Sequence, residues 1–181
     1  MVISPPASIP RRLERGDVVT GFVSGAAELD NWLERFAWEN QRANNAVTYV
    51  TTAVLPGVES ASPAVIGYYS VAVAGVALSA VPADMLKGSR PDPLPCILLA
   101  RLAVDQRMRG KGLGPGLLAD ALERSVLISE SVGAAAVLVH ARDEQARNFY
   151  LKNGDWLQSP VEPLHLMAPM KVLKRLFGTR G

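Results

Sequence analysis

The chain predicts a mixed α/β fold, and three observations carry that expectation. Two neighbouring strand-like segments in the first half read as a hairpin; strands and helices then alternate to the end; and one strand runs into a glycine-rich turn at the head of an amphipathic helix. A hairpin followed by strand, helix, strand, helix, strand lacks the regular βα repeat of a doubly wound sheet. With 181 residues the chain suits one domain better than two, so residues 1–181 are expected to form a single domain with flexible ends at 1–16 and 173–181.

Each element has its own justification. Residues 1–16, dense in proline and arginine, read as a leader strand or loose arm. In "GAAELDNWLERFAWENQRA", Leu29, Trp32, Leu33, Phe36 and Ala37 recur at helical spacing, giving one helix with an apolar face and Ser24 or Gly25 as its cap. "AVTYVTTAV" (46–54) alternates and is rich in β-branched residues, hence a strand, and "PGVESASP" turns the chain back. The run from Ser60 to Ala83 carries no charge and is long enough for a bilayer. It is rich in alanine, glycine and serine and broken by Pro82, which favours a buried strand over a membrane segment. After a proline-studded loop over 82–95, "CILLARLAV" (96–104) reads as a buried strand. The glycine turn follows, then a helix with Leu117, Leu118, Ala121, Leu122 and Ser125 on one face, ending at Gly133. "AAAVLVHA" (134–141) is the next strand. Asp143 can cap a short helix with Ala146, Phe149 and Tyr150 on its inner side and Gly154 at its end. "PLHLMAPMKV" (163–172) closes the order as a last strand.

Composition narrows the class. Apolar residues make up 49% and charged residues 20%, without repeats or low-complexity runs, as in globular proteins. A net charge of +2 permits an anionic partner without requiring one. The single cysteine, Cys96, excludes an internal disulfide, and the absence of a basic-then-apolar leader favours a cytoplasmic protein. Cys96 is expected to be buried and inert, His140 and His165 to be core or rim histidines, and the three tryptophans to be packing residues; no metal site is expected.

The chemistry concentrates in "RLAVDQRMRGKGLGPGLLADALERS" (101–125). A strand, a glycine turn and a helix start gather free backbone amides and the positive end of a helix dipole, which suits a phosphate. Glycines leave the amides unobstructed, and Arg109 and Lys111 add charge. A nucleoside-triphosphatase loop would need serine or threonine after Gly110-Lys111, where Gly112 stands. A dinucleotide fingerprint through Gly114, Gly116 and Ala119 would lie inside the helix and lacks its acidic ribose partner. The spacing of Arg109, Gly112 and Gly114 instead resembles the acyl-coenzyme A signature of the GNAT superfamily of N-acetyltransferases. A second family element is answered by Asp143, Ala146, Tyr150 and Gly154, with aspartate where the family has asparagine and Gly154-Asp155-Trp156 in place of Gly-Phe.

That resemblance implies the GNAT fold: a central, mostly antiparallel twisted sheet, splayed at the acyl-CoA site and flanked by helices. It nominates the main chain of Leu102, Ala103 and Val104 for the pantetheine arm of acetyl-CoA, and Arg109, Gly110, Lys111, Gly112, Leu113 and Gly114 for the phosphates. It makes Tyr150 the general acid for the leaving thiolate. As a bare pattern Tyr150 also fits an amphipathic core position beside Ala146 and Phe149. Five blocks, from "FVSGAAELDNWLERFAWENQRANNAVTYV" to "PLHLMAPM", further resemble in order the TacT-like GNAT toxins. The implication is acetylation of the α-amine of aminoacyl-tRNA, blocking translation, with a ribbon-helix-helix antitoxin and a homodimer.

Elementary acid–base chemistry agrees. A lysine amine lies about 3.4 units above pH 7, roughly 4.6 kcal/mol against deprotonation, whereas an α-amine at about 7.7 to 8.0 is already partly neutral and needs less help. An RNA acceptor needs cations, and Arg11, Arg12, Arg15, Arg35, Arg42, Lys87, Arg90, Arg142, Arg147, Lys152 and the tail "KVLKRLFGTR" supply candidates. Two other readings remain open: a GNAT enzyme acting on a small amine or a protein amino terminus, and a non-catalytic acyl-CoA-binding or regulatory subunit.

Overall fold

The computed structural model describes residues 6–55, 57 and 62–178. Its strands are β1 (Arg11–Arg12), β2 (Val47–Ala53), β3 (Ala64–Val76), β4 (Leu94–Val104), β5 (Ala136–His140), β6 (Leu157–Gln158) and β7 (His165–Pro169). The helices are α1 (Ala27–Arg35), α2 (Ala37–Arg42), α3 (Leu113–Ser131), α4 (Glu144–Lys152) and α5 (Met170–Phe177). The contacts divide into two compact units, residues 1–71 with 101–118 and residues 72–100 with 119–181, so β3, β4 and α3 each contribute residues to both.

In the first unit β1, β2 and β3 lie side by side, antiparallel, with a register shift between Thr51 and Thr52. The uncharged run therefore holds strand β3 from Ala64 to Val76, and among the described residues no helix is long and apolar enough to cross a membrane. The turn "PGVESASP" falls largely outside the described residues. An aromatic cluster fills the core: Tyr68 on β3 is fully buried, stacks on Trp32 at 6.0 Å, meets Phe22 edge-on at 5.7 Å, and donates its hydroxyl to the Leu29 carbonyl at 2.8 Å. The Arg101 guanidinium lies 4.2 Å from the Trp32 ring centre. A Cβ on Gly67 would meet Leu117 Cδ1 at 2.8 Å and Thr51 Cγ2 at 3.2 Å, so the absence of a side chain in mid-strand admits the head of α3.

The expected single helix over "GAAELDNWLERFAWENQRA" is two, broken at Phe36, whose φ of −119° departs from the ideal helical value and which is 48% exposed instead of buried in the core. Its cap position is Ala26, not Ser24 or Gly25. The Ser24 hydroxyl instead accepts from the Ala26 N–H at 3.2 Å and donates to Asp30 at 2.5 Å.

In the second unit the strand order is β4-β5-β7-β6. β4 and β5 run parallel, while β5/β7 and β7/β6 are antiparallel. The first four residues of β5 are buried, as a continuous apolar run flanked by strands on both sides requires. Leu94, Cys96, Leu138 and Met167 belong to one cluster of buried residues, and burial pushes the Cys96 thiol up to about 11, as expected of an inert cysteine. The last strand stops at Pro169 and does not reach 172. From Met170 the spacing of Met170, Leu173 and Phe177 is helical, with Lys171, Lys174 and Arg175 between them, so most of the tail expected to be flexible is α5; residues 179–181 lie outside the described residues. α3 ends at Ser131, short of Gly133, and β6 has no counterpart in the expected order because two residues carry no readable period.

Candidate functional site

The parallel register of β4 with β5 begins at Cys96↔Ala136 and ends at Leu99↔Val139, while β4 itself runs on to Val104. Leu102, Ala103 and Val104 thus lie past the paired stretch. Immediately after them the Asp105 N–H donates to the Ile66 carbonyl at 2.8 Å, and the chain enters a 3₁₀ turn at Gln106–Met108. Asp105 is fully buried, and its carboxylate accepts from the N–H groups of Val23 and Arg107 and from both Nε and Nη2 of Arg107.

Gly110 and Gly112 adopt φ of +74° and +78°, the left-handed region that glycine enters without strain, and α3 begins at Leu113. Gly114 is therefore the second residue of the helix and not part of the turn, and the phosphate-binding stretch expected over 109–114 includes the first helical residues. Intrahelical bonding starts with the Gly116 N–H donating to the Gly112 carbonyl at 3.1 Å, and Pro115 has no N–H. Among the described residues no acceptor takes the N–H groups of Gly112, Leu113 and Gly114. A Cβ on Gly112 would meet nothing within 4 Å, so the turn is open on that side. Arg109 Nη2 donates to the Ser24 carbonyl and lies 2.9 Å from where a Cβ of Gly25 would be, so Gly25 makes room for that guanidinium. Lys111 Nζ sits 3.9 Å from Met108 Sδ. Free amides beside two cations suit an anionic diphosphate.

Tyr150 belongs to the second unit. Asp143 caps α4 through Oδ1, which accepts the Ala146 N–H at 2.8 Å, so the aspartate that replaces the family's asparagine still orders the helix start. Tyr150 is 8% exposed, edge-on to Trp156 at 5.6 Å. Gly154 carries no side chain because a Cβ there would press on Trp156 Nε1 at 2.7 Å. Burial pushes the Tyr150 phenol well above its ordinary value, so it remains protonated at neutral pH, the form a proton donor needs. No protein group among the described residues hydrogen-bonds its hydroxyl.

The basic candidates divide. Arg11 is held by Asp17 in a two-point pair at 2.9 and 2.7 Å, Arg42 pairs with Glu39, Arg142 with Asp143, and Arg147 reaches the Pro163 carbonyl and Gln158. Lys87, Arg90, Lys171, Lys174 and Arg175 line one groove of about 670 Å³, with Asp84 as its single acid. Among the described residues no group of three or more His, Cys, Asp or Glu could hold a metal ion.

The nominated residues Leu102 to Gly114 share the first unit. Sequence reading missed Asp105, whose carboxylate fixes the strand-to-turn corner; its place one residue after the strand, two before an arginine, was the available signal. It also missed the pairing of His140 with His165, since only strand register brings them together.

A model of the acetyltransferase (GNAT) family matches residues 24–155. A tRNA-acetylating toxin of Mycobacterium tuberculosis is 40% identical over 171 residues, 94% of this chain and 97% of its own length. Among solved structures, AtaT complexed with acetyl-methionyl-tRNAfMet has a TM-score of 0.83 at 23% identity, over 95% of this chain and 99% of that one, a likeness of fold. AtaTR bound with AcCoA has a TM-score of 0.77 at 25% identity, over 94% and 98%.

Proposed function

The chain belongs to the acetyltransferase (GNAT) family, and from that premise we propose that it transfers the acetyl group of acetyl-CoA to the α-amine of aminoacyl-tRNA, as the toxin of a toxin–antitoxin pair. The observation that carries the choice of acceptor is the 40% identity, across nearly the whole of both chains, to a tRNA-acetylating toxin.

The residues present suit the donor. The N–H groups of Gly112, Leu113 and Gly114, with Gly110, Arg109 and Lys111, hold the pyrophosphate, and the backbone of Leu102, Ala103 and Val104, beyond the β5 register, takes the pantetheine arm. Acetyl-CoA supplies a thioester already activated for attack. As the amine nitrogen bonds to the carbonyl carbon and the C–S bond breaks, Tyr150 gives its proton to the departing sulfur; the nitrogen releases one to solvent, from which the phenol is restored.

The groove of five cations supports an RNA acceptor, since phosphates are held chiefly by such clusters. The reading includes one functional domain over residues 1–181, pairing of two copies, neutralisation by a ribbon-helix-helix antitoxin, and action in the cytoplasm. Controlled expression in a bacterial host tests it: the wild-type chain arrests growth and the Tyr150→Phe chain, at equal abundance, does not. Arrest that persists in the variant contradicts catalysis through Tyr150.

A further inference from the structure

A second concavity, wholly within the 72–100/119–181 unit, has a volume of about 350 Å³, inside the usual range for small-ligand pockets. Its lining combines apolar side chains, Val76, Leu138 and Met167, with three groups that bind protons, His140, His165 and Glu162. His140 is the last residue of β5 and His165 the first of β7. The antiparallel register sets them opposite each other, and their rings stack with centres 3.8 Å apart and planes 15° apart. The loop bearing Glu162 is tied down by Ser159, 3% exposed, whose hydroxyl donates to the Ala80 carbonyl at 2.9 Å and accepts from the Glu162 N–H at 3.3 Å. The His165 N–H closes the loop on the Glu162 carbonyl at 3.0 Å. Ladder and loop together fix this constellation.

Its acid–base character follows from who faces whom. Burial first, then the neighbouring His165, holds His140 below the ordinary imidazole value, opposed by Glu162; these are the titratable groups that act on it. At pH 7 His140 is therefore neutral and able to accept a proton, while an α-amine of pKa about 7.7 to 8.0 is still mostly ammonium. Those are the two states a proton transfer from amine to imidazole requires.

Building on the reading of the chain as an aminoacyl-tRNA acetyltransferase, we propose that this cavity is the acceptor pocket: its apolar lining takes the side chain of the esterified amino acid, Glu162 draws in the ammonium, and His140, held in place by the stacked His165, receives the proton lost before attack. The step balances. The ammonium N–H bond breaks toward nitrogen and the proton goes to an imidazole nitrogen. The freed lone pair forms the new C–N bond, and the imidazolium later returns its proton to water. The ligand class is an α-ammonium group bearing an uncharged, apolar side chain; an acidic side chain meets both an apolar lining and a like charge.

Steady-state acetylation of purified charged tRNAs between pH 6 and pH 9 tests this with the wild type, His140→Gln and His165→Gln. The variants should lose about 10- to 100-fold in kcat/KM at pH 6, where little amine is neutral, and stay within about threefold at pH 9, with acetyl-CoA affinity unchanged. A wild-to-variant ratio constant across the pH range overturns the pocket and leaves the acetyltransferase reading intact; a wild type that acetylates no charged tRNA removes the reading itself. Should a variant fail to fold, wild-type selectivity decides: apolar aminoacyl groups preferred at least tenfold over acidic ones support the pocket, and no preference overturns it.

Discussion

The buried carboxylate of Asp105 grips the guanidinium of Arg107 at two points, Nε at 2.8 Å and Nη2 at 2.7 Å. The same carboxylate accepts the N–H groups of Arg107 and Val23, and Arg107 reaches on to the Gly21 carbonyl at 3.1 Å. One side chain thereby ties the end of β4, the following turn and the segment before α1 into a single corner. Burial acts to raise the carboxyl's pKa, but the hydrogen bonds from Arg107 and the backbone outweigh it and hold it below the usual carboxylate value. A group depressed in this way stabilises the fold above its unfolded value of about 3.9, and that contribution is lost as pH falls through the folded value. Asp105→Asn should cost about 2 kcal/mol at pH 7, and the gap from wild type should shrink as pH falls below the unfolded carboxylate value of about 3.9. Urea unfolding at several pH values measures this; a gap independent of pH contradicts it.

Gly112 sits at φ +78° with open space where a side chain would be. Gly112→Ala should lose about 1 to 2 kcal/mol to left-handed strain without blocking the amides. Gly112→Glu adds a negative charge at the diphosphate site and should abolish acetyl-CoA binding. Calorimetric titration of both variants checks the order, and full affinity in Gly112→Glu would remove the site from this turn.

Tyr150→Phe keeps the ring against Trp156 and deletes only the hydroxyl, which no protein group among the described residues hydrogen-bonds. The fold should survive while kcat falls by about 10²- to 10⁴-fold and the KM for acetyl-CoA stays put. A loss under tenfold, measured by thiol release, would return Tyr150 to a packing role.

Lys174 and Arg175 line the basic groove from α5. Replacing both by glutamate should weaken tRNA binding across all charged species alike and lower the slope of log K against log salt by about 2. Filter binding from 50 to 300 mM salt reads that slope; an unchanged slope places the RNA elsewhere.

The parts of this site visible in sequence are those written in local chemistry. Gly110 and Gly112 announce a left-handed turn, Asp143 a helix cap, and Leu117, Leu118, Ala121 and Leu122 a buried helical face, because each depends on residues within a turn or two. The features that escaped depend on distant partners. Phe36 has the right spacing for the core but falls at a break between α1 and α2 that the periodicity did not reveal. "MKV" is apolar enough to prolong a strand, yet Met170, Leu173 and Phe177 have the helical spacing that begins α5, and the Met170 N–H donates to Ala135. His140 and His165 become one feature only when β5 and β7 fall into register.

The most direct test of the central claim supplies the purified chain with isotopically labelled acetyl-CoA and total charged tRNA, then identifies the acetylated species by mass spectrometry. Label is expected on the α-amine of amino acids still esterified to tRNA, abolished in Tyr150→Phe. Charged tRNA left unlabelled while small amines or protein amino termini take up the acetyl group would contradict it.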